Sequence, residues 1–304
     1  MKRQAAPVAY GTGAPERRAG SVASAIGRRH RRRRARRAFG AELFMLAVLA
    51  YFLLPLFWLV VASTKSISDL FSSFGLWFAH DLSLFENIRN LFATRTLDGG
   101  SYLVWIRNSA LYSVTSAVVA ALLATAAGYG FARFSFRGRE PLFWFVLGAV
   151  MVPTQALATP TYLLFAEIGL TNNPLSIILP CAVSPFGVFL MRIYAEGAIP
   201  AQLIEAARLD GAGEFRIFRS IAFRLLAPGF VTVMLFAFVA TWNNYFLPLI
   251  MLSEPKWYPL TVGIRALDPT GILVGSLLAV VPMIAAFVLL QRFWQSGLAT
   301  GSVR

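Results

Sequence analysis

Residues 204–216 read IEAARLDGAGEFR, and the chain around them is of another kind. Five of these thirteen residues are charged, whereas charged residues make up 14% of the 304-residue chain and hydrophobic ones 57%. Mean hydropathy is +0.64. An average soluble domain is ~45–50% apolar and ~25% charged, so the chain is built for lipid and the polar stretch is an insert in it. Pro200 suits a first helical position, AQLIEAARLD has high helix propensity, and Gly211 can take the left-handed conformation that closes a helix. The pattern predicts a short helix over 200–210, with Glu205 and Arg208 paired at i and i+3. A second helix is expected after the Gly211–Gly213 hinge, with Phe215, Phe218, Ile221, Ala222 and Leu225 on one apolar face. Ala206 and Ala207 are small enough to let another backbone come close, which favours docking of a partner over a helix lying on lipid.

A membrane-crossing helix needs about 20 apolar residues. Six intervals free of Asp, Glu, Lys and Arg are at least 22 residues long: 43–64, 108–132, 141–166, 168–191, 225–253 and 269–291. They predict an all-α polytopic membrane protein with six transmembrane helices. A tight turn at Glu167, Asn172, Asn173 and Pro174 separates the third from the fourth. Of the 28 lysines and arginines, 22 lie in 1–38, 133–140, 192–224 and the C-terminal tail. That excess places both termini and the 192–224 loop on the cytoplasmic face, and the loops 65–107 and 254–268 outside. The chain divides into a basic arm over 1–38, expected to be disordered, and a membrane domain over 39–304. Within the arm, RRHRRRRARR (28–37) abuts the first span, which favours contact with anionic lipid over binding of nucleic acid.

Several function classes are disfavoured. Ion-coupled carriers place ionisable residues inside their helices, and these six intervals hold none, which weakens the alternative of a secondary transporter working alone. No G-x-x-x-x-G-K-[ST] phosphate loop is present, nor a Ser/His/Asp or Cys/His set, so no enzymatic site is expected. His30 and His80 stand far apart, and Cys181 is the single cysteine, so neither a metal site nor an internal disulfide is expected. Polar side chains inside the spans are candidates for a solute path: Thr154, Gln155, Thr159, Asn243 and Asn244. The competing reading is hydrogen bonding between helices.

EAARLDGAG (205–213) resembles the EAA motif of permease subunits of ATP-binding-cassette importers. Glu205, Ala206, Ala207 and Gly211 stand at the core positions of that motif. NSALYS (108–113), GYGFARFSFRGRE (128–140), MVPTQALATPTYLLFAEIGLTNNPLSIILP (151–180), WNNYFLPL (242–249) and QRFWQSGLATGSVR (291–304) are similar to one branch of the family. That branch is the sugar permeases akin to the maltose-importer G subunit. The resemblance covers residues 40–304. It implies a bacterial inner-membrane subunit whose 200–211 segment is a coupling helix for separate ATPase subunits, through Glu205, Ala206, Ala207, Asp210, Gly211 and Gly213. It also implies a second permease, two ATPase subunits and an extracytoplasmic solute-binding protein as partners. ATP and magnesium would be bound by the ATPases and no cofactor by this chain. By the same resemblance the terminal GLATGSVR touches the ATPase dimer. One departure is Ile221-Ala222-Phe223-Arg224, where the family has Ile-x-Leu-Pro.

Overall fold

The computed structural model describes the backbone of residues 16–299 and the side chains of 40–291. The expected contact of the terminal 297–304 stretch, and the first fifteen residues of the basic arm, lie outside the residues so described. The helices in chain order are α1 (Glu16–Ser63), α2 (Ile67–Ser72), α3 (Leu84–Ala93), α4 (Tyr102–Arg133), α5 (Arg139–Gly148), α6 (Thr154–Glu167) and α7 (Leu175–Cys181). There follow α8 (Pro185–Ala198), α9 (Ala201–Leu209), α10 (Glu214–Ile217), α11 (Phe223–Trp242), α12 (Phe246–Met251), α13 (Leu260–Gly263) and α14 (Pro269–Ala299). Two compact units are present, Met1–Leu59 and Val60–Arg304.

The first unit is the greater part of α1. Its backbone is helical from Glu16, where the composition suggested a disordered arm. The apolar part, Gly40–Ser63, has 24 residues. At 1.5 Å per residue that is roughly 36 Å, enough to cross a ~30 Å hydrocarbon layer.

In the second unit α4 is the central column, with α8 and α11 packed along it. Glycine makes this possible. A Cβ at Gly128 would lie 2.5 Å from Met191 Cβ and 2.7 Å from the Arg192 nitrogen, so α4 and α8 meet at backbone distance. Small residues serve this purpose where lipid gives no hydrophobic drive for helices to associate.

Among the described residues five helices are long and apolar enough to cross a bilayer, and a bent pair makes a sixth when its two arms are taken as one span. The predicted 141–166 span is that pair. Arg139–Met151 and Thr154–Glu167 are bent by 101° about the break at Val152 and Pro153. A residue before proline is pushed out of the α region, and Val152 sits at φ −81°, ψ 122°. The predicted 168–191 span starts later, at Leu175, after a turn through Gly169 and Asn172 at φ 72° and 53°. It is interrupted at Ala182–Ser184, where the Ser184 hydroxyl accepts from Gly187 N and Pro185 opens α8. The predicted 225–253 span is shorter as a helix: α11 ends at Trp242, and α12 follows a break at Asn243–Tyr245. Neutral residues cause all three interruptions, so intervals defined by charge pass over them.

At the end of the unit opposite α9, the 254–268 segment is tied to α4 by buried polar side chains. Trp105 donates to the Pro255 carbonyl at 2.9 Å, Asn108 to those of Lys256 and Tyr258 at 2.8 and 3.0 Å, and Tyr112 to that of Trp257 at 2.9 Å. Asn172, in the turn after α6, accepts from the Ser253 and Glu254 nitrogens. The start of α4, the turn after α6 and the 254–268 segment therefore meet at one end of the unit.

Gly128→Ala is expected to lower the thermal midpoint in detergent by the equivalent of about 1–3 kcal/mol of overpacking. Gly130→Ala, with nothing within 4 Å of its Cβ position, is expected to raise it slightly through helix propensity. Fluorescence-detected size-exclusion of heated samples measures both.

Candidate functional site

Helix α9 runs from Ala201 to Leu209, as the propensities predicted. Pro200 is its N-cap, in extended conformation at φ −65°, ψ 137°, and not its first helical residue. Ile204 and Ala207, one turn apart, face inward. They join a core with Tyr129, Met191, Ala195, Ile199 and Ile217. Ala207 is therefore 7% exposed and packs on this chain, while Ala206 is on the surface. Of the two alanines expected to face a partner, the helical period turns one away.

The support under α9 comes from Arg133, at the last turn of α4. Its guanidinium donates to the Ala195 carbonyl at 2.8 Å and to the Ile199 carbonyl. The Ala195 carbonyl also takes the α8 C-cap bond from Ile199 N, while the Ile199 carbonyl, beyond the helix end, has the guanidinium as its donor. The far end of α9 closes with Gly211 at φ +79°, while Gly211 N and Ala212 N donate to the carbonyls of Arg208 and Ala207. Glu205, Asp210, Gly211 and Gly213 are all exposed. Arg208 pairs with Glu214 at 2.7 Å across the hinge, and not with Glu205 as the i, i+3 spacing suggested. The Glu214 hydrogen bond pushes the guanidinium pKa up, so the charge is secure at any working pH. At the opposite end, Lys256 holds the Glu254 carboxyl below the usual carboxylate range.

Beyond the hinge, α10 enters α11 through a π segment, Phe218–Ala222. No break occurs, and Glu214–Trp242 is one helix of 29 residues; Arg224, in place of the family's proline, is compatible with this. A π turn holds an extra residue. Buried residues accordingly fall at Ile217, Ala222 and Leu226, five and four apart. The predicted face fails at both ends, because Phe215 and Leu225 point outward. Phe215 at 75% exposure and Leu209 at 90% are large apolar residues on the outside of the polar insert. The outward position of Phe215 was missed because periodicity assumes regular winding.

A second feature is a cavity of about 890 Å³. It is walled by the start of α6, the α7–α8 break, the end of α11 and α12, so the three helix interruptions all open onto it. Irregular backbone at membrane depth is tolerated where it lines a cavity. Thr154, Gln155, Asn243 and Asn244 line it, together with Thr161, Ser184, Thr241, Tyr245 and the rings of Phe186, Phe236 and Phe246. Thr159, the fifth expected residue, lies exposed on α6 outside the lining. Asn244 Nδ2 is 3.5 Å from Cys181 Sγ, and Asn243 donates back to Val239 O. Among the described residues no Asp, Glu, Lys or Arg lines the cavity, and no cluster of metal-ligating side chains occurs.

Residues 117–299 match the family described as the binding-protein-dependent transport system inner membrane component. The chain belongs to this family. It is a permease subunit of an ATP-binding-cassette importer, a multi-pass inner-membrane protein and a transport subunit, not an enzyme. The permease is 33% identical over 270 residues to the arabinooligosaccharides transport system permease protein AraQ of Bacillus subtilis, covering 86% of this chain and 94% of that one. It is 30% identical to the lactose transport system permease protein LacG of Rhizobium radiobacter, over 82% of this chain and 90% of that one. Its fold is shared with a chain of a bacterial ABC transporter involved in the import of the acidic polysaccharide alginate. The TM-score is 0.72 at 22% identity, over 86% of this chain and 98% of that one.

Arg133→Met leaves the Ile199 carbonyl without its donor and the Ala195 carbonyl with the backbone bond alone, at a cost of about 1–3 kcal/mol. The permease is expected to be cut by trypsin after Arg208 several-fold faster, as timed on gels of membrane vesicles.

Proposed function

We propose that this permease imports an uncharged saccharide, with both termini in the cytoplasm. A second permease completes the path, two ATPase subunits supply the energy and an external binding protein delivers the solute. Three observations support the sugar reading. The AraQ and LacG relatives are named for neutral sugars. The cavity offers amides and hydroxyls beside aromatic rings, the pairing that suits hydroxyl-rich rings with apolar faces. It also lacks charge, which would suit an acidic solute poorly.

The observation that carries the coupling proposal is the outward face of α9. Glu205, Ala206, Asp210, Gly211 and Gly213 lie exposed, and the large apolar side chains of Leu209 and Phe215 protrude from the same segment. These would seat in an ATPase groove. Ala207 acts from behind, by fixing α9 to the bundle. Closure of the ATPase dimer on ATP would then move α9 and, through the continuous Glu214–Trp242 helix, the break at Asn243 that lines the cavity.

Glu205→Lys or Gly211→Pro is expected to reduce transport at least about ten-fold, the equivalent of 1.4 kcal/mol in coupling. ATPase subunits should co-purify poorly with either variant. Full coupling in a stably inserted variant overturns the docking role. Ala240→Trp, which fills the cavity from an exposed position, is expected to abolish uptake while the ATPases still co-purify. Unchanged uptake would remove the cavity from the solute path.

A further inference from the structure

The segment between α1 and α3 exposes large apolar side chains in a fixed arrangement. Phe71 is 77% exposed, Phe74 74% and Trp77 64%, with Ile67, Phe78 and Leu82 also on the surface. The segment is a closed loop. Its base is pinned where Ser83 N donates to the Thr64 carbonyl at 2.8 Å, and Asn87 Nδ2 donates to the carbonyls of Ser63 and Lys65. Its middle is pinned by Lys65, which is 1% exposed. The Lys65 ammonium donates to Ser73 Oγ at 2.8 Å and to the Phe74 carbonyl at 2.7 Å. Ser66 caps α2 by accepting from Asp69 N.

Those contacts set the height of the aromatic residues. Ser63 ends the Gly40–Ser63 span, and Lys65 follows two residues later. The backbone of Phe74 is thus held one lysine side chain from the end of a membrane-crossing helix. The polar layer of a bilayer is roughly 5–8 Å thick on each side, so a loop held this close to the end of a span is within reach of it. Aromatic side chains concentrate at that level. The charges on the loop's surface, Asp69 and Asp81, are both acidic, so attraction to anionic headgroups plays no part.

We infer that the 66–82 loop is a bilayer anchor: Phe71, Phe74 and Trp77 insert among the headgroups at the C-terminal end of α1, held in place by the buried Lys65. The occupant of this surface is zwitterionic lipid. The inference goes beyond the proposed transport cycle and does not depend on the solute or on ATPase docking.

The test uses the assembled importer in phosphatidylcholine–phosphatidylethanolamine vesicles containing a lipid with a photoactivatable group near its headgroup. After irradiation and denaturation, trypsin releases the Ser66–Arg89 peptide. Lipid adducts on Phe71, Phe74 or Trp77 are expected, unaffected by salt or by added solute-binding protein. In parallel, an environment-sensitive fluorophore at Phe74→Cys or Trp77→Cys, in a Cys181→Ser background, is expected to be blue-shifted. It should be quenched more by a nitroxide near the headgroup than by one at the acyl end. Absence of adducts together with water-like emission overturns the anchor. Adducts that disappear when solute-binding protein is added also overturn it, and would assign the surface to that protein.

Discussion

Met191 is the point at which the bundle closes. It is fully buried, and the backbones of two helices come up to it. A Cβ at Gly128 would lie 2.5 Å from its Cβ, and one at Gly229 would lie 3.0 Å from its sulfur. The central column, α8 and α11 therefore share one side chain as their common neighbour. Ile204 and Ala207 belong to the same packed cluster, so the seat of α9 depends on the same close approach. Interiors this dense deform little and pass displacement on, and that links a helix outside the bilayer to the bundle within it.

A second constraint explains where the helices stop. In hydrocarbon a backbone group without a partner costs several kcal/mol, so helices break only where protein or a cavity takes up the loose groups. The three interruptions obey this by facing one space. Asn244 at the α11–α12 break accepts from Leu247 N with its side chain, and its carbonyl accepts from Thr261. The amides near that break therefore serve the backbone as well as the cavity. Hydrogen bonding within the bundle and a place in the cavity wall are joint properties of these residues.

Much of this was legible in the chain. Charge-free intervals located the six spans, and glycine with its flanking propensities located α9 within a residue. The three breaks were hidden because proline and asparagine carry no charge. The inward turn of Ala207 was hidden because identity alone does not reveal rotational phase. Thr159 and Thr161 are alike in composition, yet only Thr161 reaches the cavity, because residues two apart on one helix lie about 200° apart around its axis. Arg208 found Glu214 because the Gly211 turn folds the next helix back within reach, and local spacing does not report this.

The π segment before α11 has a further consequence. Seven residues make two turns of regular helix, so a uniformly wound chain would put Phe215 on the same side as Ala222, inside the bundle. The extra residue in the π turn rotates everything before it by about 100°. That rotation buries Ile217 and throws Phe215 outward. The orientation of the 201–215 loop about the axis of α11 is thus set by how one turn is wound. Winding Phe218–Ala222 as regular α-helix would turn the loop to a different angle and present different side chains to whatever lies against it.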